Sequence, residues 1–273
     1  MPVILVVVLL GIIEGITEFL PVSSTGHLLI AEHWLPRQTD LFNIVMQTGA
    51  VLAVIPLFHR RFHQFIYNWS DPAVRGYFFK IVIAFVITGV PGYLLDKSGF
   101  KLPEELAPVA IALLLGGVLF VVVEMLLARR RVGTQAPPAD LRQVTWPIVI
   151  AVGIGQVIAA AFPGASRSGT TILLSLILGL SRPLATEFSF LVSIPTMLAA
   201  GGLKIFQAFH HHAAAAVHED WTLVIVGTLV AAVVSFVAVR WLLRYVQTHT
   251  FIGFGWYRIA VGAALLCLAR GLI

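Results

Sequence analysis

The sequence predicts an all-α, polytopic integral membrane protein: about six transmembrane helices plus two re-entrant helical hairpins in an inverted-topology repeat. Three observations carry that prediction. Hydrophobic residues make up 59% of the 273 residues and charged ones 11%, where a soluble domain carries roughly 25% charged residues. Runs free of Asp, Glu, Lys and Arg cover 41–58, 81–95, 106–123, 143–166, 168–181, 188–203 and 221–239, and several approach the ~20 residues that span a bilayer as a helix. Within the runs the apolar residues are continuous and do not alternate with polar ones, which specifies helices and excludes barrel strands. The mean hydropathy of +0.94 agrees.

The elements follow in order. Residues 2–20 form an apolar arm that ends at Pro21, and after a polar turn a second apolar arm runs from near Gly26 to just before Pro36. The second arm is too short to span easily, so 2–35 reads as a hairpin that enters and leaves on one side. Spans are expected at 41–58, 78–95 and 105–127. The segment 132–140, Val-Gly-Thr-Gln-Ala-Pro-Pro-Ala-Asp, is the natural cytoplasmic linker between halves 1–131 and 141–273 of one membrane domain. A second hairpin occupies 145–180: residues 145–162 are apolar, Pro163 breaks the run, the turn Gly164-Ala165-Ser166-Arg167-Ser168-Gly169 follows, and 170–180 is apolar again. Spans at 184–206, 221–241 and 256–272 complete the chain.

The hairpins resemble each other under a shift of 142 residues, which sets Gly11 on Gly153, Glu14 on Gln156, Pro21 on Pro163 and Ser24 on Ser166. Broken backbone at membrane depth is tolerated where it is buried in protein or lines a wet cavity, and paired broken segments usually enclose the site. Charge bias orients the arrangement. With the first hairpin entering from outside and the second from inside, Arg60, Arg61, Arg75, Lys80, Arg129, Arg130, Arg131, Arg142, Arg182, Arg240, Arg244 and Arg258 fall on or near the cytoplasmic side. Arg37, Lys97, Lys101, Lys204 and Arg270 fall on the other, twelve against five, as the positive-inside rule requires.

Several features set bounds. The single cysteine, Cys267, excludes an intrachain disulfide or cysteine metal site. The net charge of +5 resides in loops and helix ends, which suits membrane topology and not nucleic-acid binding. The N-terminus has neither a basic leading region nor a small-residue cleavage site, so it reads as retained. His210-His211-His212 with four alanines reads as a loop, because no carboxylate follows at ligand spacing before Glu219.

Chemistry concentrates in the two turns. The first hairpin carries Glu14, Glu18, Ser23, Ser24, Thr25 and His27. Ionisable groups at membrane depth are costly, and their default reading is functional. Glu14 and Glu18 share one helix face, with Gly11 and Gly15 beside them allowing close helix approach. The second turn looks like an anion cradle. Gly164 and Gly169 leave backbone amides accessible, Ser166, Ser168 and Thr171 offer hydroxyls, and a helix N-terminus begins there. Arg167 presents a planar fork suited to phosphate oxygens. No Gly-Lys-Ser/Thr follows, so this is not a P-loop. A diphosphate fits between the turns, and a divalent cation (Mg or Ca) on Glu14 and Glu18 would relieve the repulsion between carboxylates and phosphate. In a bilayer, the expected substrate is a lipid diphosphate.

Glu-Gly-Ile-Thr-Glu-Phe-Leu-Pro-Val-Ser-Ser-Thr-Gly-His (14–27) and Pro-Gly-Ala-Ser-Arg-Ser-Gly-Thr-Thr (163–171) resemble the two signature motifs of undecaprenyl-diphosphate phosphatases, the bacitracin-resistance family. Gln47-Thr48-Gly49-Ala50 and Glu187-Phe188-Ser189-Phe190 also resemble family segments, with Thr48 standing where members often have leucine. The resemblance covers essentially the whole chain. It implies hydrolysis of undecaprenyl diphosphate to undecaprenyl phosphate and inorganic phosphate, and with it recycling of the carrier lipid for cell-wall synthesis and bacitracin resistance. It also implies divalent-metal dependence and a site facing the periplasm or exterior of the bacterial inner membrane. Glu14, Glu18, Ser24, His27 and Arg167 carry over as essential, and Ser23, Thr25, Ser166, Ser168 and Thr171 as diphosphate ligands. The nucleophile stays open between Ser24, His27 and a water activated by His27 or a carboxylate. A flippase or transporter of polyprenyl phosphate is the rival reading, a structural scaffold leaves the intramembrane carboxylates unexplained, and a homodimer is compatible with either activity.

Overall fold

The computed structural model describes residues 2–98, 105–130, 140–211 and 220–271. Eleven α-helices are defined among them, and no strand: α1 Val3–Thr17, α2 Ser24–Trp34, α3 Asp40–Val54, α4 His59–Tyr67, α5 Pro72–Lys97, α6 Leu106–Arg130, α7 Trp146–Ala161, α8 Arg167–Ile177, α9 Arg182–His211, α10 Trp221–Tyr245 and α11 Ile252–Ala269. Six helical stretches are long and apolar enough to cross a membrane: Asp40–Tyr67, Pro72–Leu95, Leu106–Arg129, Arg182–Gln207, Trp221–Tyr245 and Ile252–Ala269. These are the six spans expected, while α1 and α7 are shorter apolar helices. The linker, apart from Asp140, lies outside the described residues, as do Lys101, Arg131, His212 and the side chains of His210 and His211.

Local chemistry sets the helix ends. Thr39 caps α3 by accepting from the Phe42 amide at 3.0 Å, and Asp220 caps α10 from the Thr222 amide at 2.9 Å, as short oxygen-bearing side chains do at helix starts. Pro56 tightens the end of α3 into a 3-10 turn, Ile55–Phe58. From there α4 continues with a cationic face (His59, Arg60, Arg61, His63) that the expected span ending at 58 did not include. The helix breaks there because proline removes one backbone donor.

Helix α1 packs on α10, α7 packs on α5, α3 lies against both α10 and α9, and α6 pairs with α11 along its length. Glycine makes the α6–α11 approach close: a Cβ on Gly117 would stand 2.7 Å from the Gly255 carbonyl oxygen, and one on Gly262 3.0 Å from that of Ala110. The largest core joins the two halves through Phe19, Phe58, Tyr77, Phe188 and Phe190, with Phe19 edge-on to Phe190 at 5.3 Å.

Five buried residues of α1 (Val6, Val7, Leu10, Gly11, Glu14) fall on five of α7 (Ile148, Val149, Val152, Gly153, Gln156) at the expected shift of 142, while buried Gly15 and Thr17 of α1 and Gly155 of α7 have no buried counterpart. At the turns the correspondence changes by one. Among the described residues, Ser23 (φ 72°) and Ser166 (φ 66°) are the two non-glycine residues in the left-handed region, and each stands immediately before its second arm. Ser166 therefore matches Ser23 and not Ser24, because the second hairpin gains one residue between Gln156 and its turn. Arg167 consequently occupies the place of Ser24, and Gly169 that of Gly26.

Two cations near the spans are paired. Arg182 donates to Glu124 at 2.8 Å, and Arg61 donates to Glu187 at 2.8 Å. Arg258, counted above among the cytoplasmic cations, is fully buried. Helix α11 starts at Ile252, four residues earlier than expected, which sets residue 258 about two turns inside the helix, where backbone carbonyls accept from both Nη atoms.

Candidate active site

The turns of the two hairpins meet through side chains. Helix α1 ends at Thr17, short of the proline that was expected to stop it, but Glu18 keeps helical dihedrals and its amide bonds the Glu14 carbonyl at 2.9 Å. Both carboxylates thus stay on one face. Arg167, first residue of α8, donates from Nη2 to Glu18 Oε1 at 2.7 Å. Ser24, first residue of α2, donates from Oγ to Glu18 Oε2 at 2.7 Å. One carboxylate therefore receives the guanidinium from one jaw and the hydroxyl from the other. The Glu18 side chain is only 4% exposed while Arg167 is 26% exposed, so the pair is open on the arginine side.

Glu14 sits behind this pair, 2% exposed. Its carboxyl lies within hydrogen-bonding reach of Glu18 and of the Gln47 amide, while Oε2 has no partner. An unpartnered buried carboxylate oxygen is expensive and points to a missing cation or proton. The imidazole of His27 is fixed at both nitrogens. Nδ1 lies 2.7 Å from the Ser23 carbonyl oxygen, which can only accept, so Nδ1 carries the proton. Nε2 then accepts from the Tyr257 hydroxyl at 2.7 Å, and the two rings stack at 5.5 Å.

The remaining residues of the cradle divide. Thr25 is exposed at the start of α2. Ser166 caps α8 by accepting from the Gly169 amide at 3.1 Å. Ser168 reaches across the hairpins to the Leu20 carbonyl at 3.1 Å, and Thr171 bonds the Arg167 carbonyl at 2.9 Å from a fully buried position. The hydroxyls of Ser168 and Thr171 are thus spent on holding the turns. Gly164, at φ +94°, presses against Val109, where a Cβ would collide with the carbonyl oxygen. Only glycine fits that left-handed, crowded position.

With two conjoined acidic and cationic turns established, the comparison with known proteins becomes specific. The sequence profile described as bacitracin resistance protein BacA matches residues 7–264. This chain belongs to that family. It is 47% identical over 267 residues to a protein of Rhizobium etli named undecaprenyl-diphosphatase, covering 97% of each chain. Relatives of the same name from Xylella fastidiosa and Xanthomonas euvesicatoria are each 46% identical over 259 residues, covering 94% of this chain and 95% and 94% of theirs.

Within this BacA-family chain, the sequence reading missed three participants. Gln47 was legible as a polar group in a charge-free span, although its pairing with Glu14 needed the packing of α3. Tyr257 and Arg258 lie in the last span, more than two hundred residues from the first motif, and nothing local marks them as partners of His27 and Pro21. No cluster of three or more His, Cys, Asp or Glu exists among the described residues. Any metal here would therefore rest on the two carboxylates with other oxygens.

Proposed function

We propose that this chain hydrolyses undecaprenyl diphosphate to undecaprenyl phosphate and inorganic phosphate at the meeting point of its two turns. The observation that carries the reading is the three-way contact of Glu18 with Ser24 and Arg167. A general base stands on a hydroxyl, and a cation sits where charge develops on phosphoryl oxygens. The named relatives supply the substrate.

In the first step the Ser24 Oγ attacks the terminal phosphorus while Glu18 Oε2 takes its proton. The bond from phosphorus to the bridging oxygen breaks, and undecaprenyl phosphate leaves. Arg167 exchanges its contact with Glu18 for the equatorial oxygens, where a planar fork matches the developing charge. Water then attacks the phosphoserine and gives its proton to His27 Nε2, which the Tyr257 hydroxyl must first vacate. The bond from phosphorus to Ser24 Oγ breaks, Glu18 returns its proton to that oxygen, and inorganic phosphate departs. The Ser23 carbonyl keeps His27 in the tautomer this requires.

The donor set suits a hard cation. Glu14 with its unpartnered oxygen, Glu18 and the nearby Gln47 are oxygen ligands, and Mg²⁺ typically takes one or two carboxylates plus substrate phosphates. A Mg²⁺ or Ca²⁺ ion held by Glu14 and Glu18, when bound, would neutralise phosphate charge and polarise the phosphorus.

The same proposal includes two hairpins entering from opposite faces of the bacterial inner membrane, with the site turned outward. The matched buried faces of α1 and α7, their matched packing on α10 and α5, and the charge bias support it. Carrier-lipid recycling and bacitracin resistance follow from that location and activity. The same matched hairpins favour a second reading, a carrier of the lipid phosphate. Purified protein in detergent separates the two, since it can release phosphate but has no compartments to transport between.

A further inference from the structure

Among the described residues, Arg258 is the largest fully buried side chain, and no carboxylate is paired with it. Its donors go to backbone carbonyls of three segments. Nη1 reaches Pro21 O at 3.2 Å in the first turn. Nη2 reaches Gly164 O at 3.2 Å and Ala165 O at 3.0 Å in the second, and Ala112 O at 3.4 Å on α6. Nε has no partner. Glycine clears the space: a Cβ on Gly116 would collide with the guanidinium, and one on Gly169 would come 2.9 Å from Nη1.

A buried charge that nothing neutralises is costly for packing alone. Here it lies against both turns of the site. We propose that Arg258 is a positioning residue that sets the register of the two turns, and thereby the meeting of Arg167 with Glu18. Its unneutralised charge adds to the field behind the diphosphate. The guanidinium fork is essential to this role, because one flat group must serve carbonyls of both turns at once. Lysine keeps the charge but offers a single ammonium and cannot span them. The catalytic consequence rests on the phosphatase reading, whereas the register role does not.

Two measurements on the full chain in detergent micelles test this separately. The first is amide hydrogen exchange on wild type, Arg258→Lys and Gly116→Ala, where the alanine displaces the guanidinium without altering it. The expected result is about tenfold faster exchange in both turns together, 18–24 and 162–169, with the α3–α10 contact unchanged. Faster exchange in one turn only, or in neither, overturns the register role. If Arg258→Lys does not yield folded protein, Gly116→Ala decides alone. The second is a double-mutant cycle on phosphate release. Arg258→Lys is expected to lower kcat about 10²-fold with KM nearly unchanged. In an Arg167→Lys background it should add little, because the residue acts through Arg167. Fully additive losses overturn that route. A wild type that releases no phosphate defeats the phosphatase reading and leaves the exchange result standing.

Discussion

The guanidinium of Arg167 and the carboxylate of Glu18, 149 residues apart in sequence, stand 2.7 Å from each other and close the two hairpin turns into one site. Glu18 is nearly sealed and Arg167 is not, so in the proposed mechanism the arginine is the member that turns towards an incoming phosphate. Glu18→Gln keeps the shape but loses the base and the ion pair. Phosphate release should fall about 10²- to 10⁴-fold while the melting temperature changes little. Near-normal turnover in this variant would remove Glu18 from the mechanism.

In the proposed mechanism Ser24 and His27 act in different steps, and trapping distinguishes them. With substrate labelled in the terminal phosphate and a rapid detergent quench near neutral pH, which preserves phosphoserine and phosphohistidine alike, His27→Ala should accumulate label on the protein at Ser24, and Ser24→Ala should carry none. Label that vanishes in His27→Ala and persists in Ser24→Ala would make the imidazole the nucleophile.

How far the sequence led is clearest at these residues. The Glu14–Glu18 spacing, the polar turns that follow both first arms and the run around Arg167 were all legible, because each is a local pattern with a local cause; Pro21 was not the stop expected, since α1 ends at Thr17. The partners of those residues were not. Tyr257 and Arg258 become neighbours of the first hairpin only through the glycine-lined approach of α6 and α11, a tertiary event with no local signature. The one-residue offset that matches Ser166 to Ser23 is likewise invisible without dihedrals, since serine stands at positions 23 and 24 alike.

The matched positions Glu14 and Gln156 have opposite fates. Gln156 is 1% exposed and neither of its amide atoms has a partner. Replacing it with leucine removes an unpaired polar group, and Gln156→Leu should unfold with a free energy about 1–3 kcal/mol higher than wild type, with activity retained. Glu14→Leu should lose activity at every divalent-ion concentration. Destabilisation of the Gln156→Leu protein would mean that the amide makes bonds the structure does not show.

Gly164 is fixed by both its dihedral and its neighbour. Gly164→Ala should cost about 1–3 kcal/mol or more in thermal stability and displace the turn that carries Arg167. The same substitution at Gly179, also at positive φ but with open space around it, should cost less. Equal losses at both sites would show that the dihedral alone matters and that contact with Val109 does not.

The most direct test of the central claim is phosphate release from undecaprenyl diphosphate by purified protein in detergent, with Mg²⁺ or Ca²⁺ supplied, for wild type beside Arg167→Ala and Glu14→Gln. The account predicts steady release by the wild type, loss of turnover in both variants, and folded protein in all three. A folded wild type that releases no phosphate under any divalent ion, while moving the lipid across liposomes, would contradict it.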